Sequence, residues 1–126
     1  MENFFLVRPE HLNHYGVLFG GVLLKWVDEF AWLAASCEYS GCTLVTVGMD
    51  RVVFKEQVQN GAILRFSILF ESQGRTSVTY KVNVNARSPD SNKERPVFST
   101  HVTFVRVDDS GQKCPLPDRE KLNIII

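Results

Sequence analysis

Cysteine is scarce in this chain and follows no pattern. Cys37, Cys42 and Cys114 make an odd set with no Cys-x-x-Cys spacing, which argues against a disulfide framework or a thiolate zinc site and for free thiols in a reducing compartment. An excess of one charge is missing too: 14 basic residues face 14 acidic ones, for a formal net charge of +0. A nucleic-acid-binding domain normally carries a clear basic excess, so nucleic acid is not an expected partner. No apolar run approaches the length of a membrane span, and no basic, apolar and small-residue segments follow one another as in a secretory leader. The expected location is the cytoplasm, with no membrane partner. There is no Gly-x-Ser-x-Gly elbow, and no cysteine lies near a histidine in sequence. A nucleophile of the Ser–His–Asp type is therefore unsupported.

What the sequence does contain fits one globular domain over residues 1–126. Apolar residues make up 44% and charged residues 22%, an ordinary balance for a chain with one core. The central stretch is Gly20-Gly21-Val22-Leu23-Leu24-Lys25-Trp26-Val27-Asp28-Glu29-Phe30-Ala31-Trp32-Leu33-Ala34-Ala35. It is apolar almost all the way round a helix of 3.6 residues per turn, the signature of a buried helix. The helix is expected from Gly20 to about Tyr39, with Ser40-Gly41 stopping it. Cys37 near its end reads as a small apolar filler.

Before it, Asn3 to Val7 reads as a short strand, and Glu10 to Phe19 as a loop rich in hydrogen-bonding side chains. After it the period changes to two. Thr43 to Phe54 carries apolar residues on both sides, which predicts a strand covered on both faces for part of its length. Leu64, Phe66, Ile68 and Phe70, then Val78, Tyr80, Val82 and Val84, mark two half-buried strands joined by the turn Gln73-Gly74-Arg75. A polar connection, Ser88 to Arg95, leads to a last strand from about Val97 to Val107, with Phe98, Val102 and Phe104 facing in and His101 taken as structural. The terminal Ile124-Ile125-Ile126 is too apolar to hang in water, and a sheet edge or a partner subunit would cover it. The order predicts an α+β fold in which one helix lies on one face of an antiparallel sheet. Its unprotected edges make a homodimer the default expectation.

Asp28 is the oddity of the central helix. It shares a stripe with Leu24, Ala31 and Ala35, where a carboxylate requires a partner, a shifted pKa or a function. One reading pairs it with Lys25, one turn back. The other joins it to its surroundings: a loop carrying Asn13, a Gly20-Gly21 helix start with open backbone N–H groups, and a carboxylate two turns on. A donor that polarises a carbonyl, amides aimed at a developing oxyanion and a carboxylate that attacks or activates water are the parts of acyl transfer.

The residues that carry this arrangement, Asn13-His14-Tyr15-Gly16-Val17-Leu18-Phe19-Gly20-Gly21 with Leu24, Trp26, Asp28 and Glu29, resemble the hotdog-fold acyl-CoA thioesterases, the family of bacterial broad-range and vertebrate acyl-CoA hydrolases. The likeness continues through Val45-Thr46-Val47, Val53-Phe54-Lys55, Gly61 and Gly74-Arg75-Thr76-Ser77, and covers about residues 8 to 109. It implies a hotdog fold, one long central helix wrapped by a five-stranded antiparallel sheet, paired into dimers that commonly form trimers of dimers. It implies hydrolysis of acyl-CoA to a free acid and CoA, with no cofactor beyond the coenzyme A of the substrate and no metal. It further implies Asp28 as general base or nucleophile, Asn13 contributed by the partner subunit, and the Gly21 N–H as the group that polarises the thioester. Gly20, Thr46, Lys55, Arg75, Thr76 and Ser77 become the residues for binding substrate and coenzyme A. Many relatives carry an aspartate where this chain has His11, so the roles of His11 and His14 stay open. A hydratase or dehydratase on the same fold, using a loop histidine, and a non-catalytic acyl-CoA-binding module are the alternatives. Trp26, Phe30 and Trp32 are candidates for shaping an acyl tunnel by size alone, and plain core aromatics otherwise.

Overall fold

A computed structural model describes residues 1–122 and 124. The elements follow one another as β1 (Glu2–Leu6), a 3-10 turn (Pro9–His11), α1 (Gly20–Glu38), β2 (Thr43–Phe54), β3 (Ile63–Gln73), β4 (Ser77–Arg87), β5 (Arg95–Val107) and a second 3-10 turn (Arg119–Lys121). The strands form one antiparallel sheet in the order β1-β3-β4-β5-β2. Elements and class match the sequence expectation, whereas the return of β2 to the edge beside β5 could not be read from periodicity. Among the described residues, no helix is long and apolar enough to cross a membrane.

The concave face of the sheet grips α1. Leu23, Trp26, Val27, Ala31, Ala34 and Ala35 are buried, spaced three and four apart as one helix face requires. They meet Phe66, Val82, Val84, Phe98 and Phe104, all fully buried. The expectation of an all-round buried helix is corrected at Trp32 and Cys37, which are exposed. A single sheet covers only one side of a cylinder, and small side chains such as Ala34 and Ala35 mark the side that lies close. Cys37 is therefore not a filler, because it sits on the uncovered side. Trp26 and Phe30 are core aromatics, packed against Phe5 at 4.1 Å and Phe66 at 4.8 Å between ring centroids. Trp32 ties the helix to the edge strand by donating from Nε1 to the Leu44 carbonyl at 3.0 Å.

β2 also departs from expectation. Only Leu44 is buried along it, and Val45, Val47, Val52, Val53 and Phe54 lie exposed, Val47 to 55%. An outermost strand has one sheet neighbour, and among the described residues α1 bonds it only near Leu44 and Thr46. Two register shifts, between Thr46 and Gly48 and between Asp50 and Val53, further bend it. A third correction concerns Phe70. A register shift between Phe70 and Ser72 breaks the alternation of β3, so the ring turns partly outward and lies 3.8 Å beneath the Arg119 guanidinium.

The C-terminal end of α1 is closed by a polar cluster. Glu38 Oε1 accepts from Tyr80 Oη at 2.5 Å and from Arg119 Nη1 at 2.8 Å. Tyr39 Oη donates to Gln73 Oε1 at 2.6 Å, and Gln73 Nε2 donates to the Pro117 carbonyl at 3.0 Å. These bonds hold the segment after β5 across the end of the sheet. Of the terminal isoleucines, Ile124 borders a surface groove with Phe70, Gln73 and Leu122, and Ile125 and Ile126 lie outside the described residues.

Burial and the bond to Glu38 push the Tyr80 phenol well above its ordinary value, and burial does the same for Tyr39 against the opposing pull of Arg119. A phenol whose pKa is higher folded than unfolded contributes stability below the unfolded value of about 10, and that contribution fades as pH climbs above it. Tyr80→Phe is expected to cost about 1 to 2 kcal/mol at neutral pH and to make the alkaline decline in stability shallower, both read from urea unfolding.

Candidate active site

Asp28 sits two turns into α1, half-buried, on the flank facing β2. Its Oδ1 accepts a 2.7 Å hydrogen bond from Thr46 Oγ1. Among the described residues it forms no ion pair with Lys25 or any other cation, so the simple surface-pair reading does not hold. Thr46 was expected among the coenzyme A contacts, but its hydroxyl is directed to Asp28. On β2 the positions 44 and 46 face the helix, opposite Arg106 and Phe104 of β5, and a polar residue there has a helix carboxylate within reach. The sequence signal was a lone threonine between Val45 and Val47.

The helix start is a second, separate place. Phe19 precedes α1 in extended conformation and supplies no side-chain cap. Its carbonyl accepts from Val22 N at 3.0 Å and Leu23 N at 3.2 Å, while among the described residues the N–H groups of Gly20 and Gly21 find no acceptor in the chain. They are the open donors that every helix start presents. Asn13 lies beside them: with Gly20, Leu23, Phe54, Lys55 and Val58 it lines a groove of about 340 Å³. Asn13 Oδ1 accepts from Tyr15 N at 2.9 Å and Val17 N at 3.3 Å, and Gly16 closes the turn at φ 78°. The side chain thus orders its own loop through its acceptor and keeps the Nδ2 donor for the groove.

Gly21 and Asp28 are seven residues apart on one helix, or about 10 Å along its axis. A single chain therefore brings together Asn13, Gly20, Gly21 and Lys55 at the helix start, and Asp28 with Thr46 farther along. Arg75, Thr76 and Ser77 form the turn between β3 and β4, stitched by Leu116 N to the Arg75 carbonyl and Arg106 N to the Thr76 carbonyl, both 2.9 Å. Ser77 and Val45 both pair with Val105, which sets this turn two strand spacings, roughly 10 Å, from the start of β2. It neighbours the Thr46 end of the sheet, not the Asn13 groove.

The histidines have other tasks. His11 Nδ1 accepts from Arg8 N at 3.0 Å, and its ring stands edge-on to Trp26. His14 stacks on Tyr15, and His101 Nδ1 bonds Glu71 at 2.7 Å on the convex face of the sheet. Among the described residues, no three His, Cys, Asp or Glu side chains converge as a metal site would need.

A family model described as the thioesterase superfamily matches residues 15–91. The chain belongs to the thioesterase superfamily. Among solved thioesterases, a hexameric hotdog fold thioesterase of Campylobacter jejuni is 35% identical, covers 91% of this chain with 88% of its own, and superposes with a TM-score of 0.82. The helix wrapped by five strands is therefore the hotdog fold. An acyl-CoA hydrolase from Staphylococcus aureus, solved with butyryl coenzyme A, coenzyme A and coenzyme A disulfide, is 28% identical over 93% of this chain and 71% of its own, with a TM-score of 0.84. Alanine variants of that hydrolase were solved at an aspartate and at an asparagine fifteen positions earlier, the same separation as Asp28 from Asn13. Among curated relatives, acyl-coenzyme A thioesterase 11 of Mus musculus is 31% identical over 121 residues, which are 92% of this chain and 20% of the mouse protein. The cytosolic acyl coenzyme A thioester hydrolase of Homo sapiens is 25% identical over 89% of this chain and 30% of its own. The chain thus spans less than a third of these longer thioesterase proteins.

The double use of Asn13 gives a separable test. Asn13→Ala removes both loop bonds and is expected to cost about 1 kcal/mol, whereas Asn13→Asp keeps the acceptor and should unfold in urea within about 0.5 kcal/mol of the parent.

Proposed function

We propose that the chain is an acyl-CoA thioesterase domain, which hydrolyses an acyl-coenzyme A to a carboxylic acid and free coenzyme A. What carries this reading is the carboxylate of Asp28, oriented by Thr46 on the same helix whose first amides are open. Open N–H groups at the positive end of a helix stabilise negative charge on a carbonyl oxygen, and an oriented carboxylate either deprotonates a water or attacks the thioester carbon directly. In the first route water oxygen bonds to the carbonyl carbon as its proton passes to Asp28, and the carbon–sulfur bond then breaks to release the coenzyme A thiolate. In the second the Asp28 oxygen bonds to the carbonyl carbon, the carbon–sulfur bond breaks to release the coenzyme A thiolate, and water then hydrolyses the mixed anhydride to the acid and free Asp28. Gly21 N–H and Asn13 Nδ2 hold the carbonyl oxygen in both.

Because these donors and Asp28 stand about 10 Å apart in one chain, we assign them to different subunits of a homodimer. Asn13, Gly20 and Gly21 of one chain face Asp28 and Thr46 of the other, and two such sites arise by symmetry. Exposed β2 is the edge along which the copies pair. Lys55 at the groove and Arg75, Thr76 and Ser77 at the sheet corner are the groups for the coenzyme A phosphates and pantetheine amides. A trimer of such dimers agrees with hexameric relatives of this length. Free thiols and the cytosolic names of several relatives favour the cytosol as its place.

Release of coenzyme A thiol from a panel of acyl-CoAs, acetyl to palmitoyl, tests the reading. Turnover of at least one is expected, with Asp28→Ala lowering kcat about 10²- to 10⁴-fold while changing the unfolding free energy by no more than about 1 kcal/mol, the scale of the lost Thr46 bond. Absence of turnover at every chain length, or full activity in Asp28→Ala, would overturn it.

A further inference from the structure

Two aromatic rings lie against the two glycines of the helix start. A Cβ on Gly20 would stand 3.3 Å from Cε1 and 3.4 Å from Cζ of Phe54, and a Cβ on Gly21 would stand 3.1 Å from Cε2 of Phe19. The rings reach the same spot from different elements, one from the last residue of β2 and one from the residue before α1. Both remain more than half exposed, Phe19 to 54% and Phe54 to 52%, although each is large enough to repay burial by about 1.5 to 3 kcal/mol. Phe54 is nevertheless anchored. It meets the fully buried Phe98 edge-on at 5.0 Å. Its free face borders the groove of about 340 Å³ that also contains Asn13, Gly20 and Val58.

Resting on the thioesterase reading above, we propose that Phe54 is the acyl-selecting wall of this groove, with Phe19 covering the neighbouring amide. When a carbonyl oxygen reaches the Gly20 and Gly21 amides, the first carbons of the acyl group lie on these rings. Water is displaced from the carbonyl, and the hydrogen bonds to it strengthen. The fixed Phe54 ring also limits how large that group is. The ring, backed by Phe98, stands across the groove beside Asn13 and Gly20, where it restricts the carbons next to the carbonyl. The favoured substrate class is therefore short, unbranched aliphatic acyl-CoA. A methyl group at position 20 or 21 would crowd its ring by a few tenths of an ångström.

The experiment is a kcat/KM profile over acetyl-, butyryl-, octanoyl- and palmitoyl-CoA for the full chain, Phe54→Ala and Phe54→Trp, with urea unfolding and native mass recorded for each. The parent should favour butyryl- over palmitoyl-CoA. Phe54→Ala should raise the palmitoyl-to-butyryl ratio at least about tenfold, mainly through KM, and Phe54→Trp should lower octanoyl turnover about tenfold while acetyl turnover persists. Folded, dimeric variants with the parent's profile, or with the same loss at every chain length, would overturn the assignment and leave the hydrolase reading standing. A parent inactive on all four substrates would overturn both. If Phe54→Ala fails to fold, Phe54→Trp alone decides.

Discussion

Seven residues of α-helix advance about 10 Å, and nothing in α1 shortens that distance between the open Gly21 amide and the Asp28 carboxylate. The helix is held by a continuous buried face, from Leu23 through Val27 and Ala31 to Ala35, packed on a sheet joined across four strand pairs. Bond cleavage at a thioester needs the oxyanion donors and the attacking group within a few ångströms of one carbon. On the proposed reading, that spacing keeps one chain from completing a site, and a second helix brought alongside by a symmetric copy supplies the missing half.

The rest of the molecule is consistent with that requirement. The strand beside Asp28 is the one strand of the sheet left as a long apolar edge, with Val45, Val47, Val52 and Val53 exposed. Its opposite counterpart, β1, is only five residues long, and short strands are a common way of blunting an edge. The far end of α1 is tied by Glu38, Tyr80 and Arg119 within the same chain, whereas among the described residues the helix start and its β2 flank carry no such cluster. Phe19 and Phe54 stand in that region too, at the point where an acyl group would approach the amides.

Much of this was legible in the sequence. The apolar run after Gly20-Gly21 marked the helix, and alternation at Leu64 to Ile68 and Val78 to Val84 marked the sheet faces, because period and burial are local consequences of one residue after another. Asp28 stood out because a carboxylate in that run requires a partner, a shifted pKa or a function. What failed was non-local. The cover expected over β2 depends on strand order, the outward turn of Phe70 on a bulge, and the exposure of Cys37 on how much of a helix a single sheet surrounds. The bond from Thr46 to Asp28 joins residues eighteen apart through a sheet edge. Likewise, the groove that unites Asn13 with Gly20 and Lys55 forms only when the end of β2 returns to the helix start.

The division of labour between chains is tested most directly by mixing. Asn13→Asp and Asp28→Asn each leave a dimer with two defective sites, but a hybrid dimer carries both defects in one site and none in the other. Co-refolding the two inactive variants in equal amounts should restore about a quarter of the parent's thiol-release activity, since half of randomly paired dimers are hybrids with one intact site. Recovery of no activity from a mixture shown by native mass to contain hybrids would contradict the shared site and place Asn13 and Asp28 in the same chain's chemistry.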